Sequence, residues 1–378
     1  MPLAKLISMI YLDANATTPV LPEVWDAMRP FAVEHFGNPA SAHRFGRLAR
    51  QALADARERI GAALHAFPDE VVFTSGATEA NNLALFGLAG SPPGHILASP
   101  IEHPCVAEPL RQLAKRGFEV EYLPVDANGI VSADAFRDRL RPDTRLATVM
   151  LVNHETGAIQ PVGDLRASSF HTDAAQAIGK IPVSFHDLGV TTLSLSGHKF
   201  GGPKGIGALL VKRGTKLPPQ LFGGHQQQGL RPGTENVAAA VGMEVAVEIS
   251  TGRPVEALAA LRRTRSRLLD LLTAMCSPVV VNGPPDGSPY VLNVSFPGCR
   301  AEILLMKLDL AGVVCSTGSA CSSGSLLPSP VLQAMGVPDA VLRSAMRFSF
   351  LPSLSDADVD EAARRIAACV ARLRGENR

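Results

Sequence analysis

Lys199 is the residue whose surroundings point most directly to chemistry. It ends the run Ser-Gly-His-Lys at residues 196–199, behind the apolar stretch 191–195, and the glycine-rich segment 201–205 follows it. A lysine normally keeps its ammonium group in water, so a lysine held at a tight strand exit is typical of one placed for chemistry. Its amine suits a Schiff base with pyridoxal phosphate (PLP), whose ring is an electron sink in amino-acid reactions. The alternative for this run by itself is a surface lysine in a turn.

Asp173 is a second candidate, because it ends the short apolar stretch that begins at Phe170. A carboxylate that faces the pyridine nitrogen of PLP keeps that nitrogen protonated and strengthens the electron sink. An aspartate at a strand end is otherwise most often a helix cap. The presence of Lys199 further along the chain favours the cofactor role.

A phosphate site is indicated at residues 71–79, where an apolar strand gives way through Gly76 to a helix that starts near Ala77. Free backbone N–H groups and the helix dipole attract an anion there, and the Thr78 hydroxyl can add a hydrogen bond. Such turns are common, so this motif gains weight only in combination with Lys199 and Asp173.

Composition bounds the class of protein. A length of 378 residues with 46% apolar residues predicts a globular chain of two domains. Lys and Arg total 36 against 35 Asp and Glu, which gives no overall field that favours nucleic acid or a membrane surface. The six cysteines show neither paired metal spacing nor a dense disulfide framework. With no signal-peptide layout and no bilayer-spanning apolar stretch, the sequence predicts a soluble, cytoplasmic protein.

The pattern of apolar residues divides the chain into two parts. From about residue 21 to 250, helix-period segments alternate with short apolar runs, which predicts an α/β domain with a largely parallel sheet. The remainder predicts a smaller α+β domain. Its predicted elements are a helix at 254–275, a strand at 291–296, a helix at 301–310, a strand near Arg347 and a helix at 355–373.

The ordered motifs resemble those of the group I cysteine desulfurases, which are fold-type I PLP enzymes close to the class-V aminotransferases. The match runs nearly end to end. It is carried by residues 11–19, 37–41, 76–78, 102–103, 153, 173–176, 196–199, 231–236, 318–321 and 347–349. The resemblance implies a large PLP-binding domain at 14–255, a small domain formed by 1–13 and 256–378, and a homodimer with shared active sites.

The resemblance also implies roles in binding pyridoxal 5'-phosphate. Lys199 would hold the cofactor, Gln176 would bond its phenolic oxygen, and His103 would stack on its ring and move protons. Without the resemblance, His103 is better explained as a capping or core histidine. Phosphate contacts are implied for Gly76, Ala77, Thr78, Ser196, His198 and, from the partner subunit, Thr234; turn formation and helix capping are the alternatives for the last three.

Three further residues resemble those that hold the substrate, L-cysteine: Asn15, Asn153 and Arg347. A guanidinium group matches a carboxylate in two-pronged fashion. Because an arginine inside an apolar strand is costly unless it is paired, the sequence around Arg347 favours a binding site over a solvated charge.

Cys321 lies in segment 316–325, which has almost no apolar side chains and so predicts an exposed loop. By resemblance, this loop at about 315–327 carries the sulfur nucleophile. The Cys321 persulfide would pass to an acceptor, either an iron–sulfur scaffold or a tRNA-thiolation protein. No resident metal is implied, although a transient iron–sulfur cluster on Cys321 is compatible with this role. Cys315 is an extra thiol without an assigned role.

The resemblance therefore implies a PLP-dependent cysteine desulfurase, with a selenocysteine lyase or a PLP-binding scaffold of little turnover as alternatives. The sequence departs from the family between Pro161 and His171, where the family has a full helix. Nine residues are too few for a helical crossover between parallel strands, so we expect one face of the sheet to be partly uncovered.

Overall fold

The structure is a computed structural model that describes residues 9–317 and 328–376. Cys321 and most of the predicted cysteine loop lie outside the described residues. The described residues form twelve strands: β1 (Ile10–Tyr11), β2 (Val71–Thr74), β3 (His95–Ala98), β4 (Glu119–Tyr122), β5 (Thr144–Thr148), β6 (Phe170–Asp173), β7 (Thr192–Ser196), β8 (Gly207–Val211), β9 (Val280–Val281), β10 (Val291–Ser295), β11 (Val313–Val314) and β12 (Ala345–Ser349).

Twelve α-helices lie before, between and after these strands in the described part of the chain. They are α1 (Pro22–Val33), α2 (Arg44–Ala63), α3 (Ala77–Ala89), α4 (Pro104–Lys115), α5 (Ala133–Arg139), α6 (Phe185–Leu188), α7 (Val237–Thr251), α8 (Val255–Cys276), α9 (Ala301–Leu310), α10 (Pro330–Ala334), α11 (Asp339–Leu342) and α12 (Asp356–Glu376).

A seven-stranded sheet organises the first part of the chain, in the order β2-β8-β7-β6-β5-β3-β4. Strand β8 runs antiparallel to β2 and β7, and the other pairings are parallel. The sheet is buried on both faces. Successive residues of a strand point to opposite sides, so Val71 and Phe73 pack into one core cluster and Val72 packs into another. The predicted α/β fold with a mainly parallel sheet is confirmed.

A second core surrounds a three-stranded antiparallel sheet, in the order β12-β10-β9. Helices α8, α9 and α12 supply Leu268, Leu304 and Ile366 to this core, and all three side chains are fully buried. Ile10 and Leu12, from the other end of the chain, pack into the same core, and β1 pairs in parallel with β11. The division of the chain into domains at residues 13 and 255 stays a prediction.

The expectation of an uncovered sheet face next to the short segment after Pro161 is wrong. This segment forms a 3₁₀ turn at Val162–Asp164, and Leu165 inserts into the core of the large sheet. Phe185, on α6, packs into the same core. The connection from β5 to β6 begins well before Pro161, and apolar side chains from this irregular segment and from α6 therefore cover the face that a crossover helix would cover.

Candidate active site

A cavity of about 540 Å³ opens at the carboxyl ends of the central parallel strands, where ligand sites of α/β sheets form. Strand β6 ends at Asp173 and β7 ends at Ser196, so the sheet brings these positions to one edge. Nine of the residues predicted to bind the cofactor line the cavity: Gly76, Ala77, Thr78, His103, Asp173, Gln176, Ser196, His198 and Lys199.

Lys199 lies in a 3₁₀ turn directly after β7, and its side chain contacts the segment at Asn15 and Ala16. Its Nζ donates hydrogen bonds to the carbonyl oxygens of Asn15 at 2.7 Å and Ala16 at 3.0 Å. Backbone carbonyls orient the amine without neutralising it, because they carry no net charge. The amine is thus held at the cavity wall by the segment around Asn15.

Asp173 is buried, with 4% of its surface exposed. Its Oδ1 accepts from the Ala175 N–H at 2.9 Å, and its Oδ2 accepts from Asn81 Nδ2 at 2.8 Å and from the Cys105 thiol at 3.6 Å. Within residues 9–317 and 328–376, no cationic side chain forms a salt bridge with Asp173. The cavity therefore contains an oriented carboxylate whose charge is available to a cationic ligand group.

His103 caps the N-terminus of α4. Its Nδ1 accepts from the Cys105 N–H at 3.1 Å, so the proton of the neutral ring lies on Nε2. Burial lowers the pKa of His103, which keeps the ring neutral. Burial, followed by the charge of Asp173, raises the pKa of the Cys105 thiol well above its usual range, so Cys105 stays protonated.

The other end of the cavity suits an anion. Helix α3 begins after Gly76 without a side-chain cap, so its first N–H groups face the cavity wall formed by Gly76, Ala77 and Thr78. Gly76 has φ of 155°, a conformation that other residues rarely adopt. Burial and the charge of Lys199 lower the pKa of His198 to about 4, so its imidazole is neutral and has only hydrogen bonding to offer an anion.

Arg347 lies outside the lining of this cavity, on β12, and only 2% of its surface is exposed. Its Nη2 contacts Asp13 Oδ1 at 2.8 Å, and its Nη1 donates to the His154 carbonyl at 3.2 Å. Its Nε has no hydrogen-bond partner among the described residues. The sequence argument for a paired arginine is met by Asp13. Of the five N–H donors of the guanidinium group, two contact Asp13 and the His154 carbonyl, and the buried Nε is among the remaining three.

Asn153 and Asn15 are buried and their side chains are already engaged. Asn153 Oδ1 accepts from the N–H groups of Glu155 and Thr156, both at 2.9 Å, and its Nδ2 donates to the Ile101 carbonyl at 3.0 Å. This geometry makes Asn153 the organiser of a turn, and a direct contact with substrate would require these bonds to rearrange. The substrate-binding roles of both asparagines stay predictions.

Thr234 is exposed and does not line the cavity of its own chain, so its contribution to a partner's site stays a prediction. Cys315 is buried, and desolvation raises the pKa of its thiol to about 12. Burial thus disfavours the thiolate, which is the nucleophilic form, at Cys315.

Sequence reasoning missed several residues of the site. Asn81 and Cys105 both contact Asp173, and His154 packs edge-on against His103 with ring centroids 5.1 Å apart. Lys180 is buried beside Gln176. Asn81 is fully buried, and the other buried residues of α3 are apolar or glycine. A polar residue on the apolar side of this helix was the signal that the sequence offered.

The residues present fit pyridoxal 5'-phosphate. That cofactor requires an amine for its aldehyde, an acid for its pyridine nitrogen and an anion site for its phosphate. The cavity places the Lys199 amine, the Asp173 carboxylate without a salt bridge, and the uncapped start of α3 around one space. In the described part of the chain, no group of three or more His, Cys, Asp and Glu side chains is arranged to hold a metal ion.

Comparison with known proteins agrees with this geometry. Residues 10–361 match the family model described as aminotransferase class-V. The chain is 45% identical to a cysteine desulfurase IscS of Dictyoglomus turgidum, over 90% of this chain and 89% of that protein. It is 41% identical to a cysteine desulfurase IscS of Methanosarcina thermophila, over 97% and 93% of the two chains.

Solved structures give the same result. A NifS-like protein superposes with a TM-score of 0.91 at 36% identity, covering 96% of this chain and all of its own. SspA in complex with cysteine superposes with a TM-score of 0.80 at 37% identity, covering 90% of this chain and 99% of its own. The chain belongs to the class-V aminotransferase family, in the group of NifS- and IscS-like cysteine desulfurases. No helix in the described residues is long and apolar enough to span a membrane.

Proposed function

We propose that this protein is a cysteine desulfurase that converts L-cysteine to L-alanine and transfers the sulfur to Cys321. The observation that carries the proposal is the single cavity that holds the Lys199 amine opposite the buried Asp173 carboxylate. In the balanced reaction, the C–S bond of cysteine breaks, an S–S bond forms at the Cys321 sulfur, and the Cys321 thiol proton replaces sulfur on the β-carbon. The products are L-alanine and a Cys321 persulfide.

Each residue proposed to hold pyridoxal 5'-phosphate is assigned to one chemical group of the cofactor. When bound, this cofactor supplies an electron sink for the bonds of the substrate's α-carbon. Lys199 would provide the covalent attachment, Asp173 would pair with the ring nitrogen, and His103 would cover the ring. Gln176 donates to the phenolic oxygen. The phosphate contacts are the start of α3 with Gly76, Ala77 and Thr78, the side chains of Ser196 and His198, and the partner's Thr234.

Arg347 is proposed to bind the substrate carboxylate. It is buried, cationic and held in place by Asp13, and its Nε lacks a partner among the described residues. A fixed guanidinium orients an amino acid without reorganising during the reaction, which lowers the entropic cost of positioning. Asn15 and Asn153 shape the wall next to this arginine through their bonds to the His154 carbonyl and the Glu155 N–H.

Proton transfer is assigned to two groups. The neutral His103 ring presents N–H at Nε2, because its Nδ1 accepts from the Cys105 backbone. The Lys199 amine is held by the Asn15 carbonyl, and an amine released from its covalent linkage can accept and return a proton at Nζ. Both groups line the same cavity, His103 at the start of α4 and Lys199 in the turn after β7.

Cys321 is proposed as the sulfur nucleophile, although it lies outside the described residues. The described chain on either side is fixed near the substrate site. Ser316 pairs with the backbone of Arg347, and Ser329 Oγ donates to Glu155 Oε2 at 2.6 Å. Cys315, six residues before Cys321, is buried, and desolvation raises the pKa of its thiol to about 12, which argues against it as the nucleophile.

The assembly and cellular context are also proposals. We propose a homodimer, which would cover apolar side chains that are 61% exposed at Trp25 and 70% exposed at Phe36 and would bring the partner's Thr234 to the phosphate. The persulfide acceptor would be an iron–sulfur scaffold, as the IscS names of the relatives suggest, or a tRNA-thiolation protein. Every described cysteine is a free thiol, which supports a reducing compartment such as the cytoplasm.

The decisive experiment measures alanine and sulfide from L-cysteine with the purified protein, with L-selenocysteine as a parallel substrate. The wild-type protein should bind PLP and release alanine, and Cys321→Ala should bind PLP but release neither product. Cys315→Ala is the matched control and should retain turnover. A wild-type protein that binds PLP without producing alanine would favour the scaffold alternative, and activity on selenocysteine alone would favour the lyase.

A further inference from the structure

Lys180 is a buried lysine behind the cavity wall, with 4% of its surface exposed. Its Nζ donates to Asn15 Oδ1 at 2.7 Å and to Gln176 Oε1. Among the described residues it forms no salt bridge with a carboxylate. A buried amine that contacts two amide oxygens instead of an acid indicates a role in orienting those amides.

The opposite ends of both amides are fixed by backbone carbonyls. Gln176 Nε2 donates to the Asn15 carbonyl at 2.9 Å, and Asn15 Nδ2 donates to the His154 carbonyl at 3.2 Å. Because a carbonyl oxygen can only accept, each amide nitrogen must face its carbonyl and each amide oxygen must face Lys180. Lys180 therefore completes a closed array that admits one orientation of each amide.

The same array reaches the catalytic amine. The Asn15 carbonyl that accepts from Gln176 also accepts from Lys199 Nζ at 2.7 Å. Gln176 lines the cavity and has two N–H groups on Nε2, of which one is used by the Asn15 carbonyl. The second N–H is the donor that a ring oxygen in the cavity would need.

The charge of Lys180 is consistent with this arrangement. Burial lowers the pKa of Lys180 well below its ordinary value, and the positive charges of Lys199, Arg347 and Arg253 lower it further. The Lys180 Nζ can serve both amide oxygens in either protonation state, because it has two N–H groups when neutral and three when charged. Its Nζ also lies 5.6 Å from the centre of the Tyr290 ring.

We propose that Lys180 is a positioning residue that keeps the amides of Gln176 and Asn15 oriented for the cofactor and for Lys199. The inference rests on the proposed function in that the cavity takes PLP. Without Lys180, both amide oxygens lose a buried donor, and the Gln176 amide keeps only the Asn15 carbonyl as a fixed partner. A Gln176 amide that is held less firmly presents its second N–H to the phenolic oxygen in fewer of its orientations, so that oxygen loses part of its hydrogen bond.

The test is a double-mutant cycle between Lys180→Met and Gln176→Ala on the full chain, measured by PLP affinity and by the pH titration of the absorbance of bound PLP. Methionine keeps most of the apolar stem of lysine and removes the N–H donors. Lys180→Met should weaken PLP binding about tenfold, the effect of one buried hydrogen bond, and should move the absorbance titration in the same direction as Gln176→Ala. In the Gln176→Ala background it should add less than about twofold, because the two residues act together.

The matched control is Tyr290→Phe, which alters the same buried surroundings and leaves both amides in contact with Lys180. It should leave the absorbance titration unchanged. Additive effects in the cycle, or a Lys180→Met protein whose melting temperature falls while its PLP affinity and absorbance stay as in wild type, would overturn the proposal.

Lys180→Gln, which retains N–H donors on a shorter side chain, takes the place of Lys180→Met in the same cycle if the methionine variant does not fold. All readouts precede the addition of cysteine. A failure of the proposed function, seen as wild-type protein that does not bind PLP, is thus distinguished from a failure of the positioning role.

Discussion

Asn81 and Asp173 are joined by a hydrogen bond of 2.8 Å from Nδ2 to Oδ2, although 92 positions separate them in the chain. Asn81 Oδ1 in turn meets His171 Nε2 at 2.8 Å. Burial lowers the pKa of His171 to about 4, so this ring is neutral and its Nε2 carries the proton that Asn81 accepts. Asn81 therefore bridges helix α3 to strand β6 and fixes the plane of the Asp173 carboxylate.

Replacing Asn81 by alanine should weaken PLP binding and destabilise the fold. The change leaves a carboxylate oxygen and an imidazole N–H without their buried partner, a loss of about 1 to 3 kcal/mol in the free energy of unfolding. The matched control is Asn82→Ala, since the Asn82 side chain donates to the Thr78 carbonyl of its own helix and contacts no catalytic carboxylate among the described residues. Denaturant unfolding and PLP titration check both variants, and equal effects of the two changes would contradict the bridging role.

The part of the site that the sequence predicted lies next to short apolar stretches that are visible in the sequence. Lys199 and Asp173 each end an apolar stretch, and strands of a parallel sheet end at one edge, so their approach follows from the pattern. Asn81 and Lys180 reach the site through contacts across the fold, and a polar residue inside a helix or a turn gives little local signal. The fully engaged side chain of Asn153 likewise depends on a turn geometry that spacing does not reveal.

Arg347 provides a prediction about substrate affinity. Lysine at this position keeps the charge but loses the fork that contacts Asp13, the His154 carbonyl and a carboxylate ligand together. Arg347→Lys should raise KM for cysteine by about ten- to a hundredfold, because the interaction with the carboxylate is made in substrate and transition state alike. Steady-state kinetics test this, with the surface variant Arg343→Lys as the control.

Arg343 pairs with Asp339 on an exposed helix and should tolerate lysine without a change in KM. An Arg347→Lys enzyme with wild-type KM would show that the substrate carboxylate binds elsewhere.

Glu102 gives a prediction about pH. Its carboxyl group is buried, and desolvation, followed by the charge of Asp173, raises its pKa from an ordinary value of 4.5 to about 8. Between these values the folded protein keeps a proton that the unfolded chain releases. The contribution of Glu102 to the free energy of unfolding is therefore complete below pH 4.5 and is lost as the pH rises toward 8.

Glu102→Gln should remove this loss, because the amide stays neutral and its oxygen can still accept from the Met150 N–H. Relative to wild type, the variant should gain stability by about 3 to 4 kcal/mol between pH 5 and pH 8, since each pH unit inside the window of the pKa shift corresponds to about 1.4 kcal/mol. Chemical denaturation at a series of pH values measures the difference. The exposed Glu23→Gln should show none, and a Glu102→Gln difference that is flat across this range would refute the assignment.

The short segment after Pro161 shows why a prediction from length alone failed. The chain replaces a crossover helix by inserting Leu165, 1% exposed, into the core that also holds Phe170 and Phe185. The Phe185 N–H donates to the Leu64 carbonyl at 2.8 Å, which ties this cover to the end of α2. Covering a sheet requires apolar side chains at the right places, and an irregular segment supplies them as well as a helix.

If Leu165 performs this role, Leu165→Ala should lower the free energy of unfolding by about 2 to 5 kcal/mol, the usual cost of removing a buried leucine side chain. Ser168→Ala, at an exposed position of the same segment, should change it by less than about 0.5 kcal/mol. A hydrophobic dye should bind weakly to the wild-type protein and more strongly to Leu165→Ala as its core loosens. Strong dye binding by wild type together with a Leu165→Ala protein of unchanged stability would mean that the sheet face is open to solvent.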